Sequence, residues 1–139
     1  KVVIIGGGLV GCETALWLAQ QGKNVTVVEI LGEILGGPHG MPFMNYQMLT
    51  ELLRYHKVDI HTNTKVKEVR PNEAVLEKGT EVFTVPADTV IGATGYKENN
   101  ALYDELCDLE VPVHNIGDSN EVRNIMYAIW DAYEVARNI

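Results

Sequence analysis

Two rhythms of apolar and polar positions alternate along this chain. Lys1-Val2-Val3-Ile4-Ile5 opens with an almost unbroken apolar run, the pattern of a strand covered on both faces in a parallel sheet. It enters Gly6-Gly7-Gly8, after which Gly11, Ala15, Leu18 and Gly22 recur at helical spacing, so a helix is predicted there with Gly22 at its C-terminal end. A second apolar strand follows and ends on an acid, Glu29. The Gly-rich stretch from Leu31 to Met41 predicts a loop, and Pro42 suits the first turn of a second helix, near Phe43 to His56, carried by Leu49, Leu52, Leu53 and His56. Beyond a short strand, Val58-Asp59-Ile60-His61, come three alternating segments at Lys65–Arg70, Ala74–Glu77 and Glu81–Val85. Turns at Pro71-Asn72 and Lys78-Gly79 separate them, so they predict an antiparallel meander that interrupts a parallel sheet. Two more strands are expected. One runs from Ala87 to Ala93-Thr94-Gly95, and the other, Val113-His114-Asn115-Ile116, ends in Gly117-Asp118. A last helix, from about Arg123 to Asn138, carries Ile125, Ile129, Ala132 and Ala136 on one face.

The first strand, the glycines and Glu29 form one constellation. In Gly6-x-Gly8-x-x-Gly11, the first glycine allows a tight turn, the second lets a pyrophosphate approach the backbone, and the third lets the helix pack closely on the sheet. Phosphates would rest on the segment Gly6, Gly8, Leu9, Val10 and Gly11, at a helix N-terminus whose free N–H groups and positive dipole end stabilise anionic oxygens without a basic side chain. Glu29 stands at the expected distance of about 20 residues from the glycines. A carboxylate there accepts hydrogen bonds from both adenosine ribose hydroxyls and repels a 2′-phosphate, and Ile30-Leu31-Gly32-Glu33 add no positive charge. This pattern favours NAD over NADP and leaves FAD open. At the end of the later strand, the small residues Ala93, Thr94 and Gly95 let a cofactor lie close to the backbone at the same sheet edge. The expected fold class is therefore α/β, a Rossmann-like three-layer parallel sheet with an antiparallel β-meander insertion, of the FAD/NAD(P)-binding type.

Composition narrows the partners. A formal charge of −8 argues against nucleic acid or an anionic membrane, both of which are held mainly through Lys and Arg. No run of about 18 apolar residues is present. Cys12 and Cys107 lack C-x-x-C spacing and read as two reduced thiols, which suits a cytoplasmic setting. The four histidines, His39, His56, His61 and His114, are scattered, and no nucleophile–base pair or metal-ligand cluster is visible. With 139 residues, one compact domain is expected. The start at Lys1, directly on a strand, suggests a piece of a longer protein.

The combination of strand, meander and Ala93-Thr94-Gly95 resembles the nicotinamide domain of the two-dinucleotide flavoprotein reductases. Gly6, Gly8, Gly11 and Glu13 match that family's glycine-rich segment, where an acid two residues after the last glycine is typical. The wording Lys1 to Ala15, then Asn63-Thr64-Lys65-Val66, then Ile116-Gly117-Asp118, is most similar to the NADH:flavin oxidoreductases related to 2,4-dienoyl-CoA reductase and trimethylamine dehydrogenase. The likeness covers nearly all of the chain. One departure is His56-Lys57-Val58, where relatives often have Gly before the Val.

This resemblance implies an NAD(H)-binding domain over 1–111, with the meander at about 64–86, inserted in an FAD domain to which 112–139 returns. It also implies that Glu13 lies near the nicotinamide end and that Asp118, after Gly117, accepts hydrogen bonds from the flavin side chain. The Gly-Asp strand is then expected beside the first strand, because the two dinucleotide domains share a fold. The implied parent carries an FMN barrel and an iron–sulfur cluster, and passes electrons from NADH through FAD to an enoate-type or similar organic substrate. The chain's own partners would be the dinucleotide and the FAD and FMN domains of the same parent. By itself it would be redox-inert, because the cofactors carry the chemistry. The alternatives are an FAD-binding domain, or a non-catalytic module for adenine nucleotides. A methyltransferase fits poorly, since it needs neither the meander nor Ala93-Thr94-Gly95.

Overall fold

The computed structural model describes residues 1–37 and 41–139, so His39 and the end of the Gly-rich stretch lie outside the described residues. The chain forms two compact units, Lys1–Gly95 and Tyr96–Ile139. The boundary between the two units falls at Gly95. Gly95 has a left-handed φ of 87°, and 96–100 is exposed chain without regular structure.

In the first unit, strands β1 (Val2–Ile5), β2 (Val25–Val28), β3 (Asp59–His61) and β7 (Thr89–Gly92) make a parallel sheet in the order β3-β2-β1-β7. Strand β1 is central, with Ile5 paired to Val28 on one side and to Gly92 on the other. Alternate residues point to opposite faces. Val2 and Ile4 join Val25 and Val27 in packing against helices α1 (Leu9–Gln20) and α2 (Phe43–Tyr55), through Cys12, Ala15, Leu49 and Leu53. Val3 and Val28 face the other way and meet Ala74, Leu76 and Ala87. That second cover is the antiparallel sheet of β4 (Lys65–Arg70), β5 (Glu73–Lys78) and β6 (Glu81–Pro86). The layers are therefore helices, parallel sheet and meander, the architecture expected from the alternation. Both turns of the meander use left-handed residues, Asn72 at φ 65° and Gly79 at φ 60°.

Both helices leave by the same device. After α1, Gly22 N donates to Ala19 O and Lys23 N to Leu18 O, which is a Schellman motif with Gly22 at φ 77°. After α2, Lys57 N donates to Arg54 O and Val58 N to Leu53 O, and buried Val58 joins Leu53 in the core. Here the left-handed position holds Lys57, at φ 57°. Its Cβ pays the steric cost that a glycine avoids.

The second unit contains α3 (Ala101–Leu106), a short 3-10 turn at Gly117–Ser119, and α4 (Ile125–Asn138). The expected strand Val113–Ile116 is not one. Its unit contains no strand to pair with, and both sides of β1 are taken by β2 and β7, so the slot proposed for it does not exist. Helix α4 starts at Asn124, whose side chain accepts from Met126 N and Tyr127 N, rather than at Arg123. No α4 residue is buried, and Ile125 and Ile129 are exposed.

Replacing Lys57 by Gly should stabilise the protein by about 1 kcal/mol, the left-handed penalty of 1–2 kcal/mol less the extra chain entropy of glycine. The urea midpoint should rise with an unchanged slope. A lower midpoint would show that Lys57 is held by more than its turn.

Candidate functional site

The carboxyl ends of β1, β2 and β7 meet at one edge, where the strand order switches direction at β1, running to β2 and β3 on one side and to β7 on the other. In open α/β sheets this is where ligands bind. Gly6 leaves β1 at φ 108°, and a Cβ there would strike the backbone O of Ala93. On Gly11 it would strike the backbone O of Gly6. These two glycines are thus demanded by close approach of backbone to backbone. Gly8 is different, since a Cβ built on it would have nothing within 4 Å. The space beside it is open, and Gly8, Leu9 and Val10 are all exposed. Among the described residues no side chain caps the N-terminus of α1, and its first turn carries no acid. Free N–H groups, the positive end of the helix and an open approach coincide there, which suits a diphosphate.

Glu29 stands beside this turn and is 8% exposed. Its Oε2 accepts from Gly7 N at 2.6 Å, and its Oε1 accepts from Leu31 N at 2.7 Å. Both bonds are charge-assisted, and they offset the desolvation that would otherwise make a buried carboxylate costly. The acid's own backbone is held too: Glu29 N donates to His61 O, and Thr64 N donates to Glu29 O. Asn63, at φ 52°, donates its N–H to Leu31 O, so the link from β3 to β4 lies along the acid's loop. Ile30 and Leu31 present exposed apolar side chains next to the carboxylate.

The sequence pattern passed over Gly7 as the free position between the first two glycines. In the structure it is buried and contacted from several sides. Ile34 Cγ2 would lie 2.8 Å from a Cβ on Gly7, Leu35 N donates to Gly7 O at 2.7 Å, and Cys12 Sγ donates to the same oxygen at 3.3 Å. Burial, with the charges of Glu29 and Glu13 adding to it, pushes the Cys12 thiol up from 9.0 to about 12. Three glycines in a row were the available signal, since the pattern itself asks only for the outer two.

Of the other expected site residues, Ala93 and Thr94 lie against Gly6, and Gly95 follows them in exposed chain. Glu13 is exposed on α1 and shares an open groove of about 330 Å³ with Leu9, Leu16, Trp17 and Met48. Gly117 and Asp118 belong to the second unit. There Gly117 N donates to Asp131 Oδ2 at 3.1 Å, Arg123 pairs with the same Asp131 oxygen at 2.6 Å, and exposed Asp118 accepts from Arg123 N at 3.2 Å. His61 pairs with Asp59 at 2.9 Å, and His114 is exposed.

Residues 1–124 match the profile of the family described as pyridine nucleotide-disulphide oxidoreductase. The whole chain is 47% identical, over 142 residues, to 21% of the cinnamate reductase of Clostridium sporogenes. It is 35% identical to 21% of an NADH oxidase of Thermoanaerobacter brockii. The chain thus spans about one fifth of the length of these curated relatives. Among solved structures, a 2-naphthoyl-CoA reductase superposes on all of the chain with a TM-score of 0.84 at 29% identity, using 21% of its own length. Histamine dehydrogenase from Rhizobium sp. 4-9 shares the fold, with a TM-score of 0.82 at 18% identity over all of this chain and 23% of its own.

At pH 8 a thiol reagent should label exposed Cys107 in the native protein and leave Cys12 untouched, because roughly one Cys12 in 10⁴ would be ionised. Unfolding should release the second thiol. Since folding raises this pKa, the stability it reports is complete below about pH 9 and is lost as pH climbs towards 12. Native labelling of both thiols, read by mass spectrometry, would contradict this account.

Proposed function

The chain belongs to the pyridine nucleotide-disulphide oxidoreductase family, and on that premise we propose that it holds NADH for hydride transfer to an FAD elsewhere in a larger flavin-dependent oxidoreductase. The observation that carries this reading is the pairing of an open, uncapped helix N-terminus at Gly8 with the buried carboxylate of Glu29. A diphosphate would take the N–H groups of Gly8, Leu9, Val10 and Gly11. Each Glu29 oxygen keeps one acceptor site beyond its backbone bond, so the two could receive the adenosine ribose hydroxyls. Adenine would lie against Ile30 and Leu31. A 2′-phosphate would meet the buried carboxylate, and Ile30-Leu31-Gly32-Glu33 supply no cation to offset it, which favours NADH over NADPH.

The nicotinamide end is assigned to Ala93, Thr94 and Gly95 at the end of β7, with Glu13 nearby on α1. When bound, the reduced nicotinamide supplies the hydride, and this chain's residues supply position. None of them has to exchange a proton for that task. Gly117 and Asp118 are assigned to the flavin side, where Asp118 keeps one carboxylate oxygen without a bond to the backbone of Arg123. The relatives named above support a parent of several domains. We assign that parent an FMN barrel and an iron–sulfur cluster beyond the FAD, and an unsaturated organic acid or its thioester as final acceptor.

Titration calorimetry of the intact protein with NAD⁺, NADP⁺, ADP and FAD tests the assignment. NAD⁺ should bind more tightly than NADP⁺, and Glu29→Ala should weaken NAD⁺ by ten- to a hundredfold, the loss of about 1.5–3 kcal/mol of charge-assisted bonding. Binding of FAD alone at this turn, or equal affinity for NAD⁺ and NADP⁺, would count against it.

A further inference from the structure

We infer that Leu35 is a positioning residue for the diphosphate: its N–H holds the carbonyl of Gly7, so that this peptide of the glycine turn offers an N–H, and not a carbonyl, to the ligand. The inference rests on the dinucleotide reading and deepens it. Gly7 shows no left-handed φ, so its backbone would accept an ordinary residue. What excludes a side chain is space, because a Cβ would lie 2.8 Å from Ile34 Cγ2 and 3.0 Å from Glu29 Cβ. The segment after Glu29 therefore lies directly on the turn. It is built under strain to do so, with Leu35 at φ 60°, a conformation that L-residues other than Asn and Asp seldom adopt. In that conformation Leu35 is buried and its N–H reaches Gly7 O at 2.7 Å.

That bond sets the direction of the next N–H group. The peptide joining Gly7 to Gly8 is trans and planar, so its C=O and N–H point in opposite directions. Leu35 N and Cys12 Sγ hold the carbonyl of Gly7, and the N–H of Gly8 is thereby turned away from them. If this peptide flipped, a carbonyl dipole would replace a donor at the point where phosphate charge accumulates. On the other side of Gly7, Glu29 Oε2 holds its N–H, and Glu29 Oε1 holds Leu31 N at the start of the same strap. The residues that select the ribose and those that aim the phosphate donor are thus parts of one hydrogen-bonded loop.

The test compares ligands with and without phosphate in the intact protein. Gly7→Ala should force the strap off the turn and weaken ADP-ribose and NAD⁺ at least tenfold more than it weakens adenosine, measured by ligand-observed NMR. The double variant Gly7→Ala/Ile34→Ala removes the closest clash and leaves only the tight approach to Glu29, so it should recover part of the lost affinity. It also provides a folded protein if Gly7→Ala alone proves too unstable, with thermal midpoints recorded for both. Equal losses for adenosine and ADP-ribose, no loss for either, or no recovery in the double variant would overturn the inference. If the unmodified protein binds neither NAD⁺ nor ADP-ribose, the dinucleotide reading itself fails and takes this one with it.

Discussion

A buried carboxylate forms only where the chain supplies enough donors to replace water, and Glu29 obtains them from the backbone of two loops. One donor is Gly7 in the glycine turn, and the other is Leu31 just past the acid itself. Because both are main-chain groups, the bonds persist whatever side chains surround them, and they tie the end of β2 to the exit of β1. Much of this sheet edge depends on this link. The turn cannot rise from the sheet without exposing the carboxylate, and the strap from Leu31 to Gly37 cannot leave without freeing the N–H groups of Leu31 and Leu35. The strain at Leu35 is tolerable in this setting because its N–H and its side chain are both committed.

The rest of the first unit serves to keep that edge rigid. Strand β1 is covered on both faces and paired on both sides, so it is the least adjustable element of the sheet, and the glycine turn grows from its end. The meander contributes no residue to the turn. It buries Val3 and Val28 under Ala74 and Leu76, where other sheets of this kind carry helices. Site and scaffold therefore divide cleanly between the carboxyl ends of the strands and their two faces.

The second unit follows another logic. Its internal bonds centre on Asp131, which receives Gly117 N and Arg123 together, while the apolar side chains of α4, among them Ile125, Ile129 and Trp130, remain exposed. An amphipathic period in sequence shows that a helix has an apolar face. It does not say which residues cover that face, and here no residue of α4 is buried. The same gap explains the missed strand at Val113–Ile116. A strand is defined by its neighbour, and alternation within one segment carries no information about whether a neighbour exists.

What could be read in the chain were features with local causes: the helical stripe of α1 and its glycine exit, the two hairpin turns, the apolar central strands, and the spacing from Gly6 to Glu29. Each arises from backbone conformation or side-chain period within a few residues, so its signal is contained in a short window. The grip on Gly7 could not be read there. It joins residues 7, 12, 29 and 34–35, and depends on a left-handed Leu that no propensity predicts. The sequence by itself determined that a glycine turn and a strand-end acid would share one sheet edge. Only the tertiary structure decided that the acid would hold the turn, because a carboxylate's partners are set by which N–H groups folding brings within 3 Å.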